Sequence, residues 1–127
     1  MVRVAHAPAR PGLAAMEQGQ HLLIDGISRR LLDKADLLAF LGECPKRIGM
    51  QIIIPPQAVK QENGWAGMVV IADSHISVHT RGLEVYGDVF SCQQFDSQVV
   101  LEAARELLLL ENKPKPKFTE LRRGWKS

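Results

Sequence analysis

The alternation of apolar and polar positions predicts a chain of short strands with two amphipathic helices. Apolar positions that alternate, or that run together over a short segment, indicate strands, whereas a spacing of three to four residues indicates a helix. The predicted strands are His21–Ser28, Gly49–Pro56, Trp65–Asp73, Ser74–Thr80, Glu84–Cys92 and a last short strand within residues 118–127. The predicted helices are Asp33–Gly42 and Ser97–Leu110.

Capping and turn residues indicate where these elements begin and end. Asp33 can accept a hydrogen bond at the start of the first helix, and Gly42 can end it. Asp96 and Ser97 can cap the second helix in the same way. Two consecutive prolines at 55 and 56 are expected to stop the strand that begins at Gly49, because proline lacks the N–H that a sheet requires.

The order of these elements predicts an α+β fold. Strands that are joined by short turns pair in antiparallel fashion, and two amphipathic helices have to cover the same sheet face. We therefore expect a two-layer sandwich of a mainly antiparallel sheet with helices packed on one face. Residues 1–19 hold two prolines and show no period, so they are expected to form a flexible arm before one domain at residues 20–124.

Composition and charge favour a cytoplasmic protein that binds neither nucleic acid nor membrane. The 127 residues suit one domain, and the net charge of +2 is small. Six Lys or Arg residues among positions 113–127 indicate a solvated tail. No segment has the ~20 apolar residues of a membrane span, and the first residues lack the apolar core of a signal peptide. Cys44 and Cys92 lie far apart and are expected to be free thiols.

The segment Ile71–Thr80, IADSHISVHT, places two histidines and two serines in a run that is otherwise typical of a buried strand. On a strand, His75 and His79 share a face but lie about 13 Å apart, so one metal ion cannot bridge them. No metal site is therefore predicted. By their pattern alone, Ser77 and the two histidines are expected to line a half-exposed face of a sheet.

The same segment, followed by YGDVFSC at residues 86–92, resembles the core of the prokaryotic S-adenosylmethionine decarboxylase proenzymes. In that family an acidic residue and a serine precede HISIHT, and an aspartate-containing strand ends in a cysteine. GQHLLIDGIS at the first strand, GWAGMVVI at the third and the helical VVLEAARELL are also similar to that family. The resemblance covers roughly residues 19–124.

The resemblance implies that the chain cuts itself between Asp73 and Ser74. Ser74 Oγ would attack the carbonyl of Asp73, and elimination and hydrolysis would leave a pyruvoyl group at the start of the new chain. The resemblance assigns His79 to this processing as an acid or base. Since Ser74 and His79 lie five residues apart, a regular strand puts them on opposite faces, and the hypothesis requires a bend at Asp73–Ser74.

The resemblance also implies how a substrate would be decarboxylated. The self-derived pyruvoyl group would serve as the cofactor and form a Schiff base with the substrate amine. Cys92 matches the family's proton donor, and Glu84 could replace its substrate-binding glutamate. The implied function is decarboxylation of a small molecule, S-adenosylmethionine, in polyamine biosynthesis, by a homodimer with active sites at the subunit interface.

Three departures from the family pattern keep two alternatives open. Ala66 occupies the place of a serine that helps processing, Asp73 replaces a glutamate, and RGLE replaces a Trp-Pro-Glu segment. The altered segment, with Arg81, is compatible with a pyruvoyl-dependent decarboxylase of a basic amino acid such as ornithine or arginine. Ala66 favours an unprocessed relative that acts as a binding or regulatory partner.

Overall fold

The computed structural model describes Val2–Ala5 and residues 19–124. The strands are β1 (Val2–Ala5), β2 (Gly19–Ile27), β3 (Ile52–Gln61), β4 (Gly64–Ile71), β5 (Ser74–Arg81), β6 (Glu84–Ser91) and β7 (Lys117–Arg123). The helices are α1 (Lys34–Arg47) and α2 (Ser97–Leu107).

The strands form one sheet in the order β1-β7-β2-β6-β5-β4-β3. All neighbours pair antiparallel except β1 and β7, which run parallel. Both helices pack on one face, where their apolar residues meet the inward residues of the sheet in a single core. The predicted α+β sandwich with helices on one face is therefore confirmed.

The other face of the sheet is not covered by any element of the described chain, and we call it the open face. Successive residues of a strand point to opposite faces, and burial follows this alternation in β4, β5 and β6. The open face of the central strands is formed by His21, Leu23, Asp25, Ala66, Met68, Val70, His75, Ser77, His79, Glu84, Tyr86, Asp88 and Phe90. His75, Ser77 and His79 thus share one half-exposed face, as the pattern predicts.

Helix α1 begins as predicted but does not end at Gly42. The Asp33 side chain accepts the N–H of Asp36 at 3.0 Å, and the Asp36 side chain accepts the N–H of Asp33 at 2.8 Å, which forms a capping box. The helix then continues through Gly42 and Pro45 to Arg47. Pro45 is buried with its neighbours in the core, so tertiary packing outweighs the weak helix propensity of glycine and proline.

The predicted stop at the two prolines of the strand that begins at Gly49 is also wrong. β3 runs through Pro55 and Pro56 to Gln61. Its register with β4 shifts between Ile52 and Ile54 and again between Ile54 and Gln57. Because β3 is an edge strand with this irregularity, its prolines do not interrupt the pairing of neighbouring strands.

A strand lies near each end of the chain, of which only the C-terminal one was predicted. Val2–Ala5, within the predicted flexible arm, form β1, since the β-branched run Val-Arg-Val suits a strand; residues 6–18 lie outside the described residues. The last strand, predicted within residues 118–127, is confirmed as β7, which takes up much of the predicted solvated tail and lies between β1 and β2. Its Phe118 and Glu120 are buried, so it belongs to the sheet rather than to a tail.

Candidate functional site

Ser74 is the first residue of β5 and follows a two-residue turn. Ile71 of β4 pairs with Ser74, so Ala72 and Asp73 form the turn between them. Asp73 has a φ of 60°, which lies in the left-handed region that non-glycine residues adopt uncommonly. Such a conformation costs roughly 1–2 kcal/mol, somewhat less for aspartate than for most residues. The bond between Asp73 and Ser74 thus follows a residue in an unfavourable conformation.

Cys92 lies beside Ser74 because β5 and β6 are neighbours. Their register places Ser74 opposite Ser91, the residue before Cys92. The backbone N–H of Cys92 donates a hydrogen bond to Ser74 Oγ at 3.1 Å. Cys92 is exposed, whereas Cys44 is fully buried in α1 and burial raises its pKa to about 12. The structure therefore places Ser74 next to the backbone of Cys92, the predicted proton donor, and leaves Cys44 as part of the core.

The loop that carries Cys92 is held in place by the buried side chain of Gln20. Its Nε2 donates to the carbonyl of Phe95 at 3.0 Å, and its Oε1 accepts the N–H of Phe95 at 2.9 Å. The same Nε2 donates to Glu120 Oε1 at 2.9 Å. Sequence reasoning missed Gln20, since a glutamine at the start of a strand normally faces solvent.

His79 lies far from Ser74 within one chain. β5 keeps a regular register with β6 from Ser74 to Arg81. His79 is therefore about 16 Å along the strand from Ser74, and its side chain points to the opposite face. The turn at Ala72–Asp73 precedes Ser74, so it does not supply the bend that the sequence hypothesis requires.

Glu84 also lies away from Ser74 and Cys92. It begins β6, opposite Arg81 at the end of β5, and its carboxylate accepts a hydrogen bond from the hydroxyl of Tyr86. That bond is the main reason why the pKa of Tyr86 is raised. The distance along β6 from Glu84 to Ser91 is roughly 24 Å.

The candidate residues therefore form two groups. Asp73, Ser74 and Cys92 lie at one end of the central strands, which we call the serine end. His79 and Glu84 lie on the open face towards the other end, which we call the histidine end. Ala66 belongs to the histidine end as well, because it pairs directly with His79 across β4 and β5.

A cluster of polar residues that the sequence did not reveal lies between these two ends. Asp88 Oδ1 accepts the hydroxyl of Ser77 at 2.7 Å and lies 3.4 Å from Nε2 of His75. Asp88 Oδ2 lies 2.9 Å from Nε2 of His21. Arg123 can only donate to Nδ1 of His21, at 3.1 Å, so the neutral ring carries its proton on Nε2 and donates it to Asp88.

The electrostatics of this cluster favour an ionised Asp88. Partial burial raises the pKa of its carboxyl group. Hydrogen bonds from His21 and Ser77, together with the nearby imidazole of His75, outweigh burial and lower the pKa below its ordinary value. The signal that could have revealed the cluster is an aspartate in the middle of a strand, but its partners come from β2 and β5 and depend on the register.

A depression of about 410 Å³ lies on the open face across β3, β4 and β5. Its volume falls within the range of small-molecule sites. Its lining is formed by Gln57, Val59, Ala66, Gly67, Met68, His75, Ser77 and His79. The described residues that line it therefore include no carboxylate.

Within Val2–Ala5 and residues 19–124, no group of three or more His, Cys, Asp or Glu residues could hold a metal ion, and no helix is long and apolar enough to cross a membrane.

Most of the chain matches one protein family. The chain belongs to the S-adenosylmethionine decarboxylase family, whose model matches residues 20–124. S-adenosylmethionine decarboxylase proenzymes of Clostridium botulinum strains Langeland and Loch Maree are 27% and 28% identical to it over 112 residues, which cover 84% of this chain and 94% of each relative. The resemblance stated from the sequence is thereby confirmed.

A solved structure shows the same fold. The crystal structure of the adenosylmethionine decarboxylase from Aquifex aeolicus VF5 superimposes with a TM-score of 0.70 at 20% sequence identity. The match covers 87% of this chain and 94% of that chain. The sandwich described above is therefore the fold of that enzyme.

Proposed function

We propose that this chain is a self-processing, pyruvoyl-dependent decarboxylase that acts on S-adenosylmethionine in polyamine biosynthesis. Membership of the decarboxylase family supports the class of reaction. The observation that carries the proposal for this chain is the serine end, where Ser74 follows a left-handed Asp73 and bonds to the backbone of Cys92. These three residues are the ones that cleavage and reprotonation require.

The bonds that form and break in processing belong to Asp73 and Ser74. Ser74 Oγ bonds to the carbonyl carbon of Asp73 while the peptide C–N bond breaks, so an ester and a free amine replace the amide. Loss of the Ser74 Cα proton then expels the Asp73 carboxylate together with Oγ. Water takes the place of the nitrogen, which leaves as ammonia, and residues 74–127 then begin with the pyruvoyl group.

Two features of the chain assist these steps. The Cys92 N–H fixes the position of Ser74 Oγ. The left-handed conformation of Asp73 raises the energy of the uncut chain, and cleavage releases that energy. After cleavage, the pyruvoyl group supplies a ketone that binds the substrate amine and accepts the electron pair left by departing CO₂. The exposed thiol of Cys92 lies at the same end of the sheet and can return a proton to the substrate carbon.

The separation of the two ends supports a homodimer. Because His79 is about 16 Å from Ser74 and on the other face, it cannot move a proton at Ser74 of its own chain. A second copy that packs open face to open face around a two-fold axis would place the histidine end of each chain over the serine end of the other, so that its His79 approaches the Asp73–Ser74 backbone from the open face. Exposed apolar residues suit such a face: Val59 is 58% and Met68 46% exposed.

The test of this arrangement is complementation between two inactive variants. Ser74→Ala cannot be cut, and His79→Ala should be cut poorly because it lacks the processing group. When the two are co-expressed, the His79→Ala chain should be cut with the help of His79 from the other copy. Cleavage is read as fragments 1–73 and 74–127 by mass spectrometry. Full cleavage of His79→Ala alone, or no rescue in the mixture, would contradict the arrangement.

One observation favours the alternative of an unprocessed binding or regulatory partner. Ala66 faces His79 across the β4–β5 pair and provides no hydroxyl group there. A denaturing gel of the purified wild-type chain separates the two functions. A single intact mass after prolonged incubation of folded protein would favour the unprocessed partner over the enzyme.

The depression on the open face supports S-adenosylmethionine over a basic amino acid. Ornithine, arginine and lysine carry a terminal cation that a carboxylate in the pocket would recognise; the carboxylate beside this lining, Asp88, is already bonded to Ser77 and His21. Val59 and Met68 instead offer apolar surface for an adenine ring. Release of CO₂ from carboxyl-labelled S-adenosylmethionine by cut protein is the expected result. Release from ornithine, arginine or lysine alone would shift the assignment to a basic amino acid.

A further inference from the structure

Cleavage between Asp73 and Ser74 would make the start of β5 a chain end. In the uncut chain this end is held by the turn to β4 and by the hydrogen bond from Cys92 to Ser74 Oγ. Both are lost on processing, because the peptide bond breaks and Oγ leaves with the Asp73 carboxylate. Strand ends that lose such links open easily, yet the reacting group would sit on this end.

The side chains that follow Ser74 are bound by one carboxylate. Ser77 donates its hydroxyl to Asp88 Oδ1 at 2.7 Å, and His75 Nε2 lies 3.4 Å from the same oxygen. The other oxygen of Asp88 is held by His21 of β2 at 2.9 Å. Asp88 thereby links the first residues of β5 to two other strands on the open face.

Ring packing adds to this link. The His75 ring lies 5.9 Å from the ring of Phe90, and the His21 ring lies 5.6 Å from Phe90 on the other side. Phe90 thus fills the space between the two imidazoles whose nitrogens reach Asp88. None of these contacts involves Ser74 Oγ or the bond that is cut, so cleavage leaves all of them in place.

We propose that Asp88 is a positioning residue that holds the newly formed chain end, through His75 and Ser77, so that the group derived from Ser74 stays beside Cys92 during turnover. This inference rests on the proposed function. Before cleavage, the covalent turn holds the same residues, and Asp88 is not needed for the cut. After cleavage, a displacement of about 1 Å at the reacting group can lower the rate by as much as 10²-fold.

The experiment separates cleavage from turnover in the full chain. Asp88→Ala should be cut at 73–74 as fast as wild type, within about twofold. Its kcat should then fall by about 10- to 100-fold with little change in KM. Asp88→Asn still accepts the Ser77 hydroxyl and should lose less activity, and Ser77→Ala should show a smaller effect in the same direction as Asp88→Ala. The matched control is Asp25→Asn. It changes a different carboxylate of the open face, on β2, and should leave kcat unchanged.

Hydrogen exchange provides a readout that does not depend on activity. Amides of residues 75–78 should exchange at least tenfold faster in cut Asp88→Ala than in cut wild type. They should exchange equally in the two uncut chains that also carry Ser74→Ala. Normal cleavage with unchanged kcat and exchange would overturn this inference alone, and loss of cleavage in both Asp88 variants would show that Asp88 acts earlier. A wild-type chain that is never cut would overturn the proposed function and this inference with it.

Discussion

The two cysteines should differ in reactivity by far more than their exposure alone suggests. The pKa of Cys44 is about 12, so at pH 8 roughly one molecule in ten thousand carries the reactive thiolate, against about a quarter for a thiol of ordinary pKa. The higher nucleophilicity of a more basic thiolate recovers part of this difference. Taken together, the rarer thiolate and its higher nucleophilicity slow Cys44 by about two orders of magnitude relative to a thiol of ordinary pKa, and its complete burial slows it further.

A small disulfide reagent measures this difference, since each predicted fragment contains one cysteine. Intact-mass spectrometry of cut protein should show the adduct on residues 74–127 and none on residues 1–73. Decarboxylation should stop with the adduct on Cys92 and return on reduction. Cys92→Ala should still be cut but lose turnover, and Cys44→Ala should be cut and active. Comparable labelling of both fragments in folded protein would refute the reasoning.

Three other changes test separate features of the chain. Ala66→Ser adds a hydroxyl opposite His79 and should speed cleavage, as read on a timed denaturing gel. An unchanged rate would show that Ala66 does not slow cleavage. Asp33→Ala removes the capping box of α1 and should cost about 1 kcal/mol in urea unfolding; an unchanged midpoint would contradict that role. Asp88, whose pKa is lower in the folded chain, stabilises the fold above about pH 4, and this contribution is lost as pH falls through its folded pKa. The acid-unfolding curve of Asp88→Asn should lack that loss of stability. Identical curves for Asp88→Asn and wild type would contradict this contribution of Asp88.

The central strands could be predicted from the sequence because their burial follows the alternation of side chains. β4, β5 and β6 each place every second residue against the helices, and short turns join them. Local signals also located the starts of both helices, where Asp33 and Asp96 accept backbone hydrogen bonds as expected. These features depend on residues that are close together in the sequence.

Elements whose form depends on distant partners could not be predicted. Pro45 continues α1 because the core packs around it, and Pro55 and Pro56 stay in β3 because that strand lies at an edge. The last strand was expected within residues 118–127, but which of its residues are buried was not, since the acidic side chain of Glu120 is buried with Gln20 and Ser97 as hydrogen-bond partners. No local pattern distinguishes such a glutamate from an exposed one.

The candidate site also has features that could be predicted from the sequence and features that could not. The resemblance to a family pointed to Ser74, His79 and Cys92, and the structure brings Ser74 and Cys92 together. The distance of His79 from Ser74 follows from the regular register of β5, which the sequence left open. Asp88 remained without a role because its partners lie on two different strands.

The strand order has a consequence for the unfolding and refolding of the cut protein. Cleavage at residue 73 would assign β1, β2, β3 and β4 to one fragment and β5, β6 and β7 to the other. In the sheet, β7 lies between β1 and β2, and β2 lies between β7 and β6, so the two fragments interleave. Unfolding of the cut protein would then also be dissociation, and its midpoint would depend on protein concentration. Refolding would become a bimolecular search, so dilution after unfolding would separate the fragments, whereas the uncut precursor folds as a single chain.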